Sequence, residues 1–155
     1  MNRRLLERLS EGPHSEFLEH FRSSRYEFFG IELHNTDVDS QPIGHMMLAS
    51  GHQGRVRFSL PDILSAIETS GANAITMIHN HPFSPTFKPS RLDIEVTERV
   101  HLALQEIGAK VIDHRIYVSD GRFFSFVEEK VGRWGWDSVE FERPSKAPDA
   151  GPRSA

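Results

Sequence analysis

Apolar residues along this chain switch between strand-like and helical spacing several times. Tyr26 to Leu33, Tyr-Glu-Phe-Phe-Gly-Ile-Glu-Leu, reads as extended chain. His34 to Pro42, with Asn35, Asp37, Asp39 and Ser40, reads as a turn. A second strand is expected near Ile43 to Ala49 and a short third one from Arg55 to Ser59, with Gly51 and Gly54 bracketing the turn between them. Ser59-Leu60-Pro61-Asp62 offers a cap, an early proline and an acidic first turn, so a helix opens there and Gly71 closes it. Ala74 to Ile78 is nearly continuous apolar sequence, as in a central strand covered on both faces. A loop rich in Pro, Ser and Thr runs from Pro82 to Pro89. A long helix is expected from Arg91 to Ile107, with Val96, Val100, Ala103 and Ile107 at helical spacing and Gly108 as its stop. Val111 to Val118 and Phe123 to Val127 make a hairpin around Asp120-Gly121.

This order of elements predicts an α/β fold, a mixed sheet with helices packed on it. Residues 1–25 read as a polar helical segment whose apolar points are Leu5, Leu6, Leu9, Phe17, Leu18 and Phe21, interrupted at Gly12-Pro13. Residues 26–130 form the domain, and 131–155 an extension. Beyond about residue 137 the Ser-, Pro-, Ala- and Asp-rich tail holds too little apolar surface to order itself.

Composition narrows the class. The chain has 155 residues, 37% hydrophobic and 26% charged, which suits one soluble domain with a sizeable core. No apolar run approaches the roughly 18 residues of a membrane span. The start, Met-Asn-Arg-Arg-Leu-Leu-Glu-Arg, lacks the apolar core of a signal peptide. There is no cysteine, which removes disulfides, thiol catalysis and Cys-based zinc sites and fits a cytoplasmic location. The net charge of −4 argues against a nucleic-acid partner, because phosphate neutralisation needs a basic excess. Arg3, Arg4 and Arg8 form a small basic face that reads as solvated.

The candidate chemistry follows the central apolar run. His79 and His81 are two apart, so on an extended chain both imidazoles share a face and Asn80 points away. Asp93 lies twelve residues beyond His81, in the first turn of the next predicted helix. Two histidines and a carboxylate make a three-ligand zinc site with one position left for water, the arrangement of hydrolases. The plainer reading is a cap: Ser90-Arg91-Leu92-Asp93 fits the Ser-x-x-acid signature of a helix start, and the histidines would then be ordinary core or surface residues. The two readings are compatible, since one carboxylate oxygen can bind metal while the other accepts a backbone N–H.

These residues resemble the JAB/MPN (JAMM) zinc metalloprotease superfamily, and its RadC-like branch most. The resemblance rests on His79-Asn80-His81-Pro82, on Pro89-Ser90-Arg91-Leu92-Asp93 through Thr97, on Ile112-Asp113-His114, and on Asp120-Gly121 followed by Ser125. It covers about residues 26 to 128 and implies the JAB/MPN, cytidine-deaminase-like α-β-α sandwich with a mixed central sheet. Two features depart from the family pattern. Eight residues rather than seven separate His81 from Ser90, and Phe83-Ser84-Pro85 replaces the usual Ser-Gly-Asp. The 25 residues ahead of the domain are also too few for the helix-hairpin-helix module of full-length RadC proteins.

The resemblance further implies a catalytic glutamate on or just before the first strand, which Glu27 in Glu27-Phe28-Phe29-Gly30 fits; Glu32 competes but faces the other way. It implies Zn2+ on His79, His81 and Asp93, Glu27 as general base and Ser90 as the oxyanion's hydrogen-bond donor. Implied substrates are peptide or isopeptide bonds, often at the carboxyl terminus of a ubiquitin-like protein. The rival functions are a non-catalytic scaffold on the same fold and a RadC-like role associated with DNA repair. His114 is expected to pair with Asp113 beneath the sheet, with a metal-side or orienting role as the alternative. His34, His45, His52 and His101 read as surface or partly buried, and Trp134 and Trp136 as a cover over the sheet where the chain leaves it, with an exposed partner patch as the alternative.

Overall fold

The computed structural model describes residues 17–19, 21, 25–38, 41–51, 59–82, 89–118 and 122–131. Of the strand expected at Arg55 to Ser59, only Ser59 is described; residues 55–58, the loop from Phe83 to Lys88, the Asp120-Gly121 turn, His52, Trp134, Trp136 and the tail lie outside these residues. Among the described residues, five strands, β1 (Glu27–His34), β2 (Pro42–Gly51), β3 (Ala74–His81), β4 (Lys110–Val118) and β5 (Phe123–Ser125), form one sheet in the order β2-β1-β3-β4-β5. β3 and β4 are parallel; every other neighbouring pair is antiparallel. Among the described residues, α1 (Leu60–Ser70) lies between β2 and β3 in chain order and α2 (Arg91–Gln105) between β3 and β4. This is the expected α/β fold with a mixed sheet and packed helices.

Each boundary has a local cause. Pro61 and Asp62 open α1, and Gly71 closes it at φ 75°, a left-handed conformation that a Cβ disfavours. Ser90 caps α2. β3 runs to His81 rather than stopping at Ile78, so both histidines are part of the strand.

Alternation sorts the sheet into two faces. Phe29, Ile31, Leu33, Ile75, Met77, Ile116 and Val118 share one core with Ile63 and Ile67 of α1 and Val100 and Leu104 of α2. The opposite face carries Ile78 and Tyr117, with Phe17 and Phe21 packed on them. Gly30 makes that packing possible: a Cβ there would lie 2.8 Å from the Phe17 ring and 2.9 Å from both the Phe21 ring and the Met46 carbonyl oxygen.

The buried stripe of α2 differs from the expected one. Thr97, Val100, His101 and Leu104 face the sheet, while Ile107 lies past the helix end and is exposed. Two polar residues thus sit on the inner face because each has a partner; His101 Nδ1 accepts the Val111 N–H at 3.2 Å.

His34, His45 and His101, expected at the surface or partly buried, are all buried. His34 meets Thr76 at 3.1 Å, and His45 lies 3.8 Å from Glu32. Glu32 is on the face away from His79, as expected, in a buried ionic group with Arg115 (3.7 Å) and, through it, Asp113 (3.3 Å). Asp113 also accepts from Ser125 Oγ at 2.8 Å and from the Val127 N–H at 3.2 Å, which ties β5 and the following turn to β4.

Candidate metal centre

The site lies where the carboxyl end of β3 meets the first turn of α2. His79 and His81 project from the same face of β3, two residues apart. The Nε2 atoms of His79 and His81 are 3.0 Å apart. Asp93 completes the triangle, with Oδ1 3.4 Å from His79 Nε2 and Oδ2 3.7 Å from His81 Nε2. Among the described residues, this is the group whose donor atoms could hold a metal ion, all within 4.8 Å of one another.

Geometry tests the fit. Tetrahedral zinc with nitrogen and oxygen ligands at about 2.0–2.1 Å sets neighbouring donors about 3.3 Å apart. The observed edges fall on both sides of that value, and two imidazoles with one carboxylate are the donor set of an open catalytic site. The residues fit zinc.

The cap and the triangle share Asp93. Ser90 Oγ accepts the Asp93 N–H at 3.0 Å, and Asp93 Oδ2 accepts the Ser90 N–H at 2.8 Å, a reciprocal capping box. Oδ1 stays directed at His79, so the two readings of this stretch coexist. Burial alone would raise the Asp93 pKa. The hydrogen bond and charge of His79 and the Ser90 N–H outweigh it and hold the carboxyl well below its ordinary 3.8.

His114 is the chief surprise. Its backbone N–H does bond Asp113 Oδ1, at 2.8 Å, but the two side chains lie on opposite faces of β4. The ring reaches the site: Nε2 is 2.7 Å from His79 Nδ1, and Nδ1 is 2.5 Å from Thr97 Oγ1. Phe126 stacks on it at 4.5 Å, and Phe29 meets it edge-on at 6.0 Å. Burial, then the nearby charge of His79, pushes its pKa well below 6.5, so the ring is neutral at pH 7. The expected Asp113 partnership therefore holds for the backbone alone.

Glu27 is half-buried at the start of β1, on the same face as Phe29. Phe29 pairs with His79, and this is the last β1–β3 pair on the side of Glu27. Glu32 is excluded from the site by its face. Asn80, which points away from the triangle, has a task of its own: its Oδ1 accepts the Phe28 N–H and its Nδ2 donates to the Tyr26 carbonyl. Sequence reasoning assigned no role to Asn80 or Thr97. The Asp93–Thr97 spacing of four was the available signal for Thr97, since such pairs lie on one helix face.

A family model described as the RadC-like JAB domain matches residues 14–131. The chain belongs to that family. The match begins early enough to include Phe17 and Phe21, whose rings cover the sheet at Gly30. Similar proteins include a UPF0758 protein of Geotalea uraniireducens, 34% identical over 119 residues, which are 74% of this chain and 50% of the relative. One from Aquifex aeolicus is 38% identical over 96 residues, 61% of this chain and 40% of the relative. One from Porphyromonas gingivalis is 47% identical over 58 residues, 37% of this chain and 25% of the relative. The chain thus spans half or less of the length of these relatives. Among the described residues of this RadC-like JAB domain, no helix is long and apolar enough to cross a membrane.

Proposed function

We propose that this RadC-like JAB domain is a zinc-dependent metallopeptidase or isopeptidase of the cytoplasm, cleaving a bond at the carboxyl end of a peptide or ubiquitin-like protein. The observation that carries the reading is the His79–His81–Asp93 triangle, whose edges of 3.0 to 3.7 Å suit one zinc ion. Bound zinc supplies a Lewis acid and a water of near-neutral pKa.

The protein's own groups do the rest. Glu27 accepts the proton of the attacking water on its carboxylate and returns it to the leaving nitrogen. Support for Glu27 comes from its place two residues from Phe29, on the face that carries His79. Ser90 uses an oxygen lone pair for the Asp93 N–H, which leaves its hydroxyl hydrogen available to a developing oxyanion.

Metal analysis and cleavage of a ubiquitin-like fusion test the reading together. Zinc at about one per chain is expected in the parent and in Glu27→Ala, and none in His79→Ala. Only the parent should cleave. If the parent takes up no zinc when supplied with it, the hydrolase reading fails and a scaffold role replaces it. Salt-dependent binding to duplex DNA at physiological ionic strength would favour the repair-associated role instead.

A further inference from the structure

Behind His79 a line of hydrogen bonds runs from α2 to β4 and on to β3. Thr97 Oγ1 lies 2.6 Å from the Asp93 carbonyl oxygen. A carbonyl cannot donate, so the single hydroxyl hydrogen of Thr97 is spent there. The same oxygen lies 2.5 Å from His114 Nδ1, which must therefore carry the hydrogen between them. His114 is 1% exposed and enclosed by Phe29 and Phe126. A neutral imidazole with a proton on Nδ1 has a lone pair on Nε2. That lone pair faces His79 Nδ1 at 2.7 Å, so His79 donates. In the neutral His79 ring the bare nitrogen is then Nε2, facing His81 and Asp93.

We infer that His114 and Thr97 are positioning residues for the metal centre: together they lock His79 as the Nδ1–H tautomer and aim its free Nε2 at the metal position. The inference rests on the zinc reading of the site for its purpose, and on the hydrogen-bond chain for its content. The chain also couples the two elements that carry the ligands. Its far end is the carbonyl of Asp93 itself, so the residue that supplies the third ligand helps set the tautomer of the first. Partners of this kind hold a ligating imidazole in orientation, and their loss weakens metal binding by about 10- to 100-fold.

The test reads the tautomer directly. A long-range nitrogen–proton correlation spectrum of zinc-free protein distinguishes Nδ1–H from Nε2–H on His79. The parent is expected to show Nδ1–H. His114→Phe keeps the ring's shape without an acceptor and should release His79 to the other tautomer. Zinc affinity, measured by competition with a chelator, should fall about 10- to 100-fold. His114→Gln, which puts a carbonyl oxygen near the lost Nε2, should recover most of the affinity. Thr97→Val should weaken binding and Thr97→Ser restore it. An Nε2–H signal for His79 in the parent, or parental zinc affinity in His114→Phe, overturns the inference. Because the tautomer is read without zinc or substrate, it decides the chain even if the parent holds no metal, an outcome that would defeat only the hydrolase reading.

Discussion

Asn80 clamps the strand beside it at Phe28: its Oδ1 accepts the Phe28 N–H at 2.7 Å while its Nδ2 donates to the Tyr26 carbonyl at 2.9 Å. The two bonds bracket Glu27. A side chain thus completes the β1–β3 ladder where backbone pairing stops at Phe29 and His79. Both bonds need an amide, which explains an asparagine between two histidines.

Asn80→Ala leaves a donor and an acceptor without their partner, and each costs about 1–3 kcal/mol if it stays buried. Urea unfolding should show a loss of about 2 kcal/mol. Zinc affinity should hold, because Asn80 faces away from the triangle. Cleavage should fall by about a hundredfold through misplacement of Glu27. Loss of zinc with unchanged cleavage per bound metal would contradict this division of labour.

Ser90 combines a cap with a proposed oxyanion contact, and three substitutions separate them. Ser90→Asn keeps an N-cap but removes the hydroxyl; stability should stay near the parent's while kcat falls by about 10²–10³. Ser90→Ala should lose the same rate and about 1 kcal/mol of stability. Ser90→Thr should keep most of both. Full activity in Ser90→Asn would reduce the residue to a cap.

Gly30 is required by close approach rather than by backbone conformation. A methyl group there meets two phenyl rings and a carbonyl oxygen at 2.8 to 2.9 Å. Gly30→Ala should cost about 1–3 kcal/mol. Adding Phe17→Ala should not restore the parent's stability, because the Met46 carbonyl oxygen remains in the way. Stability within about 0.5 kcal/mol of the parent in Gly30→Ala would show that the aromatic pair does not rest on this strand.

Glu32 gives the stability a pH dependence of defined sign. Burial raises its pKa above the ordinary 4.5, Arg115 opposes the rise, and the charge of Asp113 adds to it. The folded state therefore holds this proton more tightly than the unfolded chain. The resulting stabilisation is complete below about pH 4.5 and is lost as pH rises through the folded-state value. Glu32→Gln has no such titration, so the parent's stability relative to it should decline as pH is raised from 4.5. Denaturation series at several pH values would show it. A difference that does not change with pH would mean that the carboxyl does not titrate differently on folding.

Zinc should act as a stabilising ligand of the folded state. At a hundred times its dissociation constant it should add about 2.7 kcal/mol. The thermal midpoint of the parent should rise with zinc and return on chelation. His81→Ala, which removes one of the three donors, should lose most of this response. A rise of equal size in His81→Ala would place the bound zinc elsewhere.

Much of this site is local in sequence, and that part could be read directly. The pair His79 and His81 needed only the two-residue period of a strand, and Ser90 with Asp93 needed only the geometry of a helix start. The β3–α2 junction was legible for the same reason. The α2 stripe was misjudged because its inner face includes Thr97 and His101, whose burial depends on partners 17 and 10 residues away. His34 and His45 have no partner at a local spacing and so read as surface or partly buried; they are buried because Glu32, Thr76 and Arg115 occupy the same interior.

The sequence by itself determined the order of the described elements, the ligand-bearing stretch and the capped start of α2, since each depends on the short periods of strand and helix. Only the tertiary structure decided the role of His114. Asp113 and His114 are neighbours in the chain, yet strand alternation sends one into the ionic group around Arg115 and the other to His79. Which face of β4 meets which neighbour depends on the parallel pairing of β3 with β4 and on the register shift at Ile75/Thr76. That register is set by packing between residues some 35 positions apart, which no local pattern encodes.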